Sequence, residues 1–173
     1  ILLSFVGAFL AATYPFLKRW THLPQFYLGV AFGWGIPMAF AAQTGAVPWL
    51  AWVLFAANVC WSVAYDTAYA MVDREDDLKV GVKSTAILFG PYDRLLIGIF
   101  HALTIALLAI AGSLAARGIL YYVGLAVAAG LAGYQQFLIR ERVPAGCFRA
   151  FLNNNGFGAA VFVGLALSYA MEG

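Results

Sequence analysis

Six apolar runs, separated by short polar connections, cover most of the 173 residues. They lie at about 1–17, 24–43, 47–71, 92–114, 118–139 and 148–170. A helix needs roughly 17–25 mostly apolar residues to cross the hydrocarbon core of a bilayer, and every run reaches that length. The pattern predicts an all-α, multi-pass transmembrane helical bundle of about six spans, with residues 1–173 as one transmembrane domain. The second run holds Gly29, Gly33, Gly35 and Pro37. Gly29 and Gly33 have the small-xxx-small spacing that lets helices approach closely, and Pro37 predicts a kink. The first run opens at Ile1-Leu2-Leu3, with no Met and no basic flank, and reads as the inside of a helix. The expectation is a truncated N-terminus, not a signal peptide.

Composition sharpens this picture. The chain is 64% hydrophobic and 10% charged, with mean hydropathy +0.84; soluble domains carry about 25% charged residues. A net charge of +2 gives no reason to expect a nucleic-acid partner. Cys60 and Cys147 lack metal spacing and read as free thiols. The ten cations matter by position. If every run spans, nine of them fall on one side: Lys18, Arg19, Arg74, Lys79, Lys83, Arg94, Arg140, Arg142 and Arg149. The positive-inside pattern puts that side in the cytoplasm.

Six of the eight acidic residues gather at or near one stretch: Asp66, Asp73, Glu75, Asp76, Asp77 and, further on, Asp93. Asn58, Ser62, Asp66, Asp73 and Asp77 follow one another at steps that keep them on one helix face. Should the helix run on past Val72, Asp73 and Asp77 stack one turn apart and repel unless a divalent cation binds. Oxygen-only donors suit magnesium, which takes one or two carboxylates together with substrate phosphates. The competing reading is a solvated loop balanced by Arg74, Lys79 and Lys83, but an ionisable residue inside an apolar run, here Asp66, points to function. Lys79 and Lys83 are candidates to face a diphosphate, and Tyr14 and Lys18, four apart, are candidates for the same pocket. Tyr65 and Tyr69 have ring faces suited to an allylic cation. The isolated His22 and His101 read as packing or interface groups.

The run from Tyr65-Asp66-Thr67 through Asp73-Arg74, Asp76-Asp77, Lys79, Gly81 and Lys83-Ser84-Thr85 to Phe89-Gly90 resembles the second aspartate-rich motif of the UbiA-type intramembrane prenyltransferases. More narrowly, it is similar to the branch acting on 4-hydroxybenzoate in ubiquinone synthesis. Tyr14-Pro15-Phe16, Lys18-Arg19, Thr21-His22, Pro24-Gln25, Tyr134-Gln135-Gln136, Cys147-Phe148, Phe151 and Asn153-Asn154-Asn155 match the same family. The resemblance covers nearly the whole chain. It implies a nine-helix fold with two facing aspartate-rich motifs, of which this chain holds helices four to nine and the second motif. It also implies transfer of a polyprenyl group from its diphosphate to the ring of 4-hydroxybenzoate in the bacterial inner membrane, with Mg2+ as cofactor and active-site loops in the cytoplasm. Asp73 and Asp77 would hold the metal, and Asp66 would act as base or support. Lys18, Lys79 and Lys83 would face phosphate, with Tyr14 beside them. Arg74 would meet the diphosphate or the benzoate carboxylate. Tyr65, Tyr69, Asn153, Asn154 and Asn155 would line the substrate pocket, or the asparagines would cap the last helix. Because the first motif is absent from these residues, the fragment alone is expected to be inactive. Two other readings stand beside this one: a related prenyltransferase with another acceptor, and a cation-coupled transporter built on Asp66.

Overall fold

The long helices begin where the sequence places proline or glycine. Pro48 and Gly118 adopt extended backbone as N-caps, and Pro144 occupies the first helical position, where its missing N–H costs nothing. The computed structural model describes residues 1–172, and every regular element among them is helical. The elements are α1 (Leu2–Thr13), a 3-10 segment (Tyr14–Arg19), α2 (Pro24–Gly33), α3 (Gly35–Thr44), α4 (Trp49–Val72), α5 (Arg74–Val80), α6 (Thr85–Phe89), a 3-10 turn (Gly90–Tyr92), α7 (Asp93–Leu114), α8 (Ile119–Leu138) and α9 (Pro144–Glu172).

The third to sixth runs become α4, α7, α8 and α9 with small boundary shifts, α9 starting about one turn early at Pro144. The first and second runs are not continuous helices. The first tightens into the 3-10 segment at Tyr14, with Pro15 inside it. The second divides at Trp34. Pro37 has no N–H to bond the Gly33 carbonyl one turn before it, so the break falls there and not at the proline itself. By length and composition, two helical stretches among the described residues are long and apolar enough to cross a membrane: Thr85–Leu114 and Pro144–Met171. The 24-residue α4 is diluted by Asn58, Asp66 and its Trp and Tyr residues, whereas α1, α2 and α3 are short.

α4 is the centre of the bundle and packs on α2, α7 and α9, while α8 packs on α7 and α9. Glycine permits two of these contacts. A Cβ on Gly29 would lie 3.0 Å from both Ser62 Cβ and Val59 Cα, and one on Gly33 would lie 2.8 Å from Asn58 Nδ2. The small-xxx-small pair therefore seats α2 on α4, as its spacing predicts. Asn58 also donates to the Gly29 carbonyl at 3.2 Å, so Asn58 and Ser62 serve this packing face. On the other side Gly124 and Gly164 meet: a Cβ on Gly124 would lie 2.7 Å from the Ala160 carbonyl oxygen and 2.8 Å from Gly164 Cα. An apolar cluster including Ala64, Ala68, Ile97, Ile139 and Cys147 closes the α4–α7–α8–α9 end that carries the charged loops. Both cysteines are free, and His101 is buried against Phe157.

Candidate active site

The acidic stretch is not one helix. α4 ends at Val72, Asp73 adopts φ −90° and ψ 0°, and α5 begins at Arg74. Asp73 is thus a hinge residue. The Asp77 N–H still donates to the Asp73 carbonyl at 2.8 Å, so the two residues remain one turn apart although the long helix has stopped. α5 itself ends at Gly81, whose φ of +72° is left-handed, and the Val82 N–H returns to the Asp77 carbonyl at 3.0 Å. A residue with a Cβ is strained in that conformation, which explains the glycine between the two lysines.

This turn folds the loop back over the 3-10 segment. The Lys83 N–H donates to the Lys18 carbonyl at 3.0 Å, and its ammonium reaches the Trp20 carbonyl at 3.4 Å. Below it, Gln25 accepts from the Thr85 N–H at 3.0 Å, and the Thr67 and Thr85 hydroxyls bond at 2.6 Å. Gln25, Thr67 and Thr85 are all buried, so these bonds pin the loop between α2 and α4. Lys18 comes close enough for its charge to act on both Asp66 and Asp77, and Asp73 acts on the same two. Tyr14 lies beside Asp66 and Tyr65. Tyr14, Lys18, Asp66, Asp73 and Asp77 therefore form one cluster where α4, α5 and the 3-10 segment meet. Among the described residues no hydrogen bond or ion pair holds the Asp66, Asp73 or Asp77 carboxylates. Burial is the main influence raising the Asp77 carboxyl above its ordinary value; Lys18 lowers it, and Asp73 and Asp76 raise it further.

Two expected members lie elsewhere. Lys79 points outward and pairs with Asp76 at 2.9 Å, both largely exposed. Arg74 turns away from the cluster: its guanidinium donates to the Ala86 carbonyl at 2.8 Å and to Asp93. Asp93, which reads in the sequence as lying beyond the motif, is fully buried. It accepts from Arg142 Nε at 2.9 and 3.1 Å, from the Arg94 N–H at 2.6 Å, and from Arg74.

The wall between α4 and α9 is aromatic. Tyr65 and Tyr69 pack on Phe151 with ring centroids 6.1 and 5.0 Å apart, and Trp61 stacks on Phe157 at 5.6 Å. A cavity of about 390 Å³ opens here, lined in part by Trp61, Tyr65, Phe151, Asn154 and Asn155. The three asparagines lie well inside α9 and cap nothing. Asn154 accepts from Trp61 Nε1 at 3.0 Å, and Asn153 accepts from Gln135 Nε2 at 3.1 Å. Trp61 was not singled out by sequence; its spacing of four from Tyr65 is the signal that places both on one face.

The helical bundle thus sets a cluster of unpartnered carboxylates around Lys18, beside Tyr65, which also lines the aromatic-walled cavity. The sequence profile of the UbiA prenyltransferase family matches residues 1–166. The chain belongs to that family. It is 64% identical over 167 residues to a 4-hydroxybenzoate octaprenyltransferase of Nitrosococcus oceani, covering 96% of this chain and 59% of the relative. Its identity to that of Methylococcus capsulatus is 62% over 173 residues, covering 100% and 59%. The chain thus spans about 59% of the length of these relatives. The apo structure of a UbiA homolog from Aeropyrum pernix K1 superposes with a TM-score of 0.73 at 27% identity, covering 95% of this chain and 63% of that one.

Proposed function

We propose that a protein of the relatives' full length, carrying this chain, transfers a polyprenyl group from polyprenyl diphosphate to the ring of 4-hydroxybenzoate in ubiquinone biosynthesis. The observation that carries this reading is the gathering of Lys18, Asp66, Asp73 and Asp77 into one charged cluster, next to Tyr65, which lines the aromatic cavity, in a chain 58–64% identical to proteins of that name. The donor set fits a hard divalent cation. Asp73 and Asp77 offer oxygen donors one turn apart with no protein partner, and no group of three or more His, Cys, Asp or Glu forms a closed cage among the described residues. An open pair of this kind suits Mg2+, whose remaining positions go to water and substrate phosphate. Bound there, the metal would neutralise charge that grows on the diphosphate as it leaves.

The chain's own groups supply the rest. Lys18 adds positive charge beside the carboxylates, whereas the Lys83 ammonium bonds the Trp20 carbonyl and Lys79 stays outside with Asp76. The Tyr65, Tyr69 and Trp61 rings keep water from the allylic carbon and present negative faces to its positive charge. The ring carbon ortho to the phenol hydroxyl bonds to that carbon as diphosphate departs. Asp66, an unpartnered carboxylate next to the cavity-lining Tyr65, would accept the displaced ring proton. Membership of the family and the apolar helices support a multi-pass bundle in the bacterial inner membrane. The charged connections 73–85 and 140–149 would then share the cytoplasmic face, with 43–47 opposite. Contacts between Arg94 and the Arg140 carbonyl, and between Asp93 and Arg142, support a common face for the charged loops.

Prenyl transfer by full-length protein in membranes, with 4-hydroxybenzoate as acceptor across a magnesium titration, tests the function. The residues 1–173 expressed alone should show no turnover; turnover by that piece, or inertness of the full-length protein toward 4-hydroxybenzoate, overturns the reading. Single-cysteine labelling tests the topology, and reaction of position 80 only from outside the cytoplasm would reverse it.

A further inference from the structure

The hinge that carries Asp73 is held from a distance. Arg74 follows Asp73 directly, at the junction where α4 gives way to α5. Its guanidinium is fastened to two points that belong to neither helix: the Ala86 carbonyl of α6 and the carboxylate of Asp93, the first residue of α7. Asp93 is in turn gripped by Arg142, from the connection between α8 and α9, with a salt bridge of 2.9 Å. Arg142 also donates to the Pro91 carbonyl at 2.8 Å. Its backbone sits at φ +56°, a left-handed conformation that costs a residue with a Cβ. Such a conformation persists where surrounding contacts over-determine it. Arg142 is therefore held in a costly backbone state while it reaches Asp93.

Simple stability does not require this placement. An apolar replacement of a buried ion pair often serves stability as well or better. What the triad adds is direction. A planar guanidinium accepts a carboxylate in few orientations, so locking Arg74 also fixes the backbone of the hinge next to it. The unpartnered Asp73 and Asp77 carboxylates have no other tether among the described residues. Their spacing depends on the hinge dihedrals and on the first turn of α5.

We infer that Asp93 is a positioning residue for the acidic site: through Arg74, and braced by Arg142, it sets the hinge from which Asp73 and Asp77 present their carboxylates to a divalent cation. This rests on the proposed prenyl-transfer reading for the cation's role, and extends it to a carboxylate that itself touches neither metal nor substrate.

The test uses the full-length protein with Asp93→Asn and Arg142→Lys. Arg142→Lys keeps the charge but loses the two-pronged grip, and it carries the test if Asp93→Asn fails to fold. Three measurements are made: hydrogen exchange across 73–80 in metal-free protein, Mn2+ binding by electron paramagnetic resonance in the presence of inorganic diphosphate, and prenyl transfer across a magnesium titration. Exchange across 73–80 should quicken while 119–138 stays protected. Affinity for Mn2+ and the magnesium half-saturation point should weaken about 10–100-fold in Asp93→Asn and less in Arg142→Lys, with turnover largely recovered at saturating magnesium. Wild-type exchange at 73–80 and wild-type Mn2+ affinity in a foldable variant, even one with a lowered melting point, would reduce the triad to a structural staple and overturn the inference. Inertness of the wild-type enzyme toward prenyl diphosphate would instead refute the functional reading, leaving exchange and Mn2+ binding to decide this one.

Discussion

Two charged clusters stand at the same end of the bundle and follow opposite plans. In the first, Asp66, Asp73 and Asp77 gather around Lys18 and make no hydrogen bond or ion pair among the described residues. In the second, Asp93 is buried and saturated by Arg74, Arg142 and the Arg94 N–H. The acidic side chains are chemically alike. Their surroundings divide them into carboxylates left without a protein partner among the described residues and a carboxylate consumed by the fold. A buried charge with every lone pair occupied has nothing left to offer a substrate. A half-buried charge with none occupied is costly to keep unless something arrives to bind it.

The comparison breaks most visibly at Asp93. Asp93→Asn leaves two arginines facing a neutral amide, and should cost about 3–5 kcal/mol of stability in a detergent unfolding titration. Asp73→Asn should leave the unfolding midpoint nearly where it was. Equal destabilisation by the two changes would erase the distinction. The next effect is on turnover. Asp73→Asn and Asp77→Asn should each cost roughly 10²–10³ in prenyl transfer by the full-length protein at limiting magnesium. The double change should cost less than the product, because both side chains serve one ion.

A smaller effect concerns pH. Asp77 titrates above the ordinary carboxylate range because burial favours its neutral form, with Lys18 opposing. A protonated Asp77 cannot ligate, so cation affinity should fall on acidification before an ordinary aspartate would protonate. Lys18→Met removes the lowering influence and should move that loss to still higher pH; an unmoved pH profile would mean that Lys18 does not face Asp77. The smallest effect is at Lys79. Lys79→Gln should leave prenyl transfer unchanged, since this lysine is spent on the exposed Asp76. A large loss would return Lys79 to the phosphate site.

Much of this was legible in the chain. Apolar run lengths located α4, α7, α8 and α9, and the spacing of Gly29 and Gly33 foretold a close helix contact, though not that its partner is α4. The four-residue step from Asp73 to Asp77 survives as one turn although α4 stops at Val72, because that single bond is local. Three features escaped for physical reasons. The break at Asp73 carries no proline or glycine, so nothing local announces that α4 ends there. Arg74 finds its partner nineteen residues away, across α5 and α6. Asp93, a lone acid at the head of an apolar run, looks the same in sequence whether it faces water or two arginines. The asparagines show a fourth limit. Residues 153–155 resemble a cap by composition, yet Pro144 starts the helix earlier and leaves them inside it, with Asn154 bonded to Trp61 and Asn153 to Gln135.

The meeting of Gly124 with Gly164 has a mechanical consequence. Backbone lies against backbone there, too close for any side chain to fit between, and α8 and α9 share the most extensive packing in the bundle. The aromatic wall on α9 faces α4 across side chains, which can reorient. A change in the spacing of α9 and α4 would therefore carry α8 along, with the slack taken up by the aromatic side chains at the α4 face.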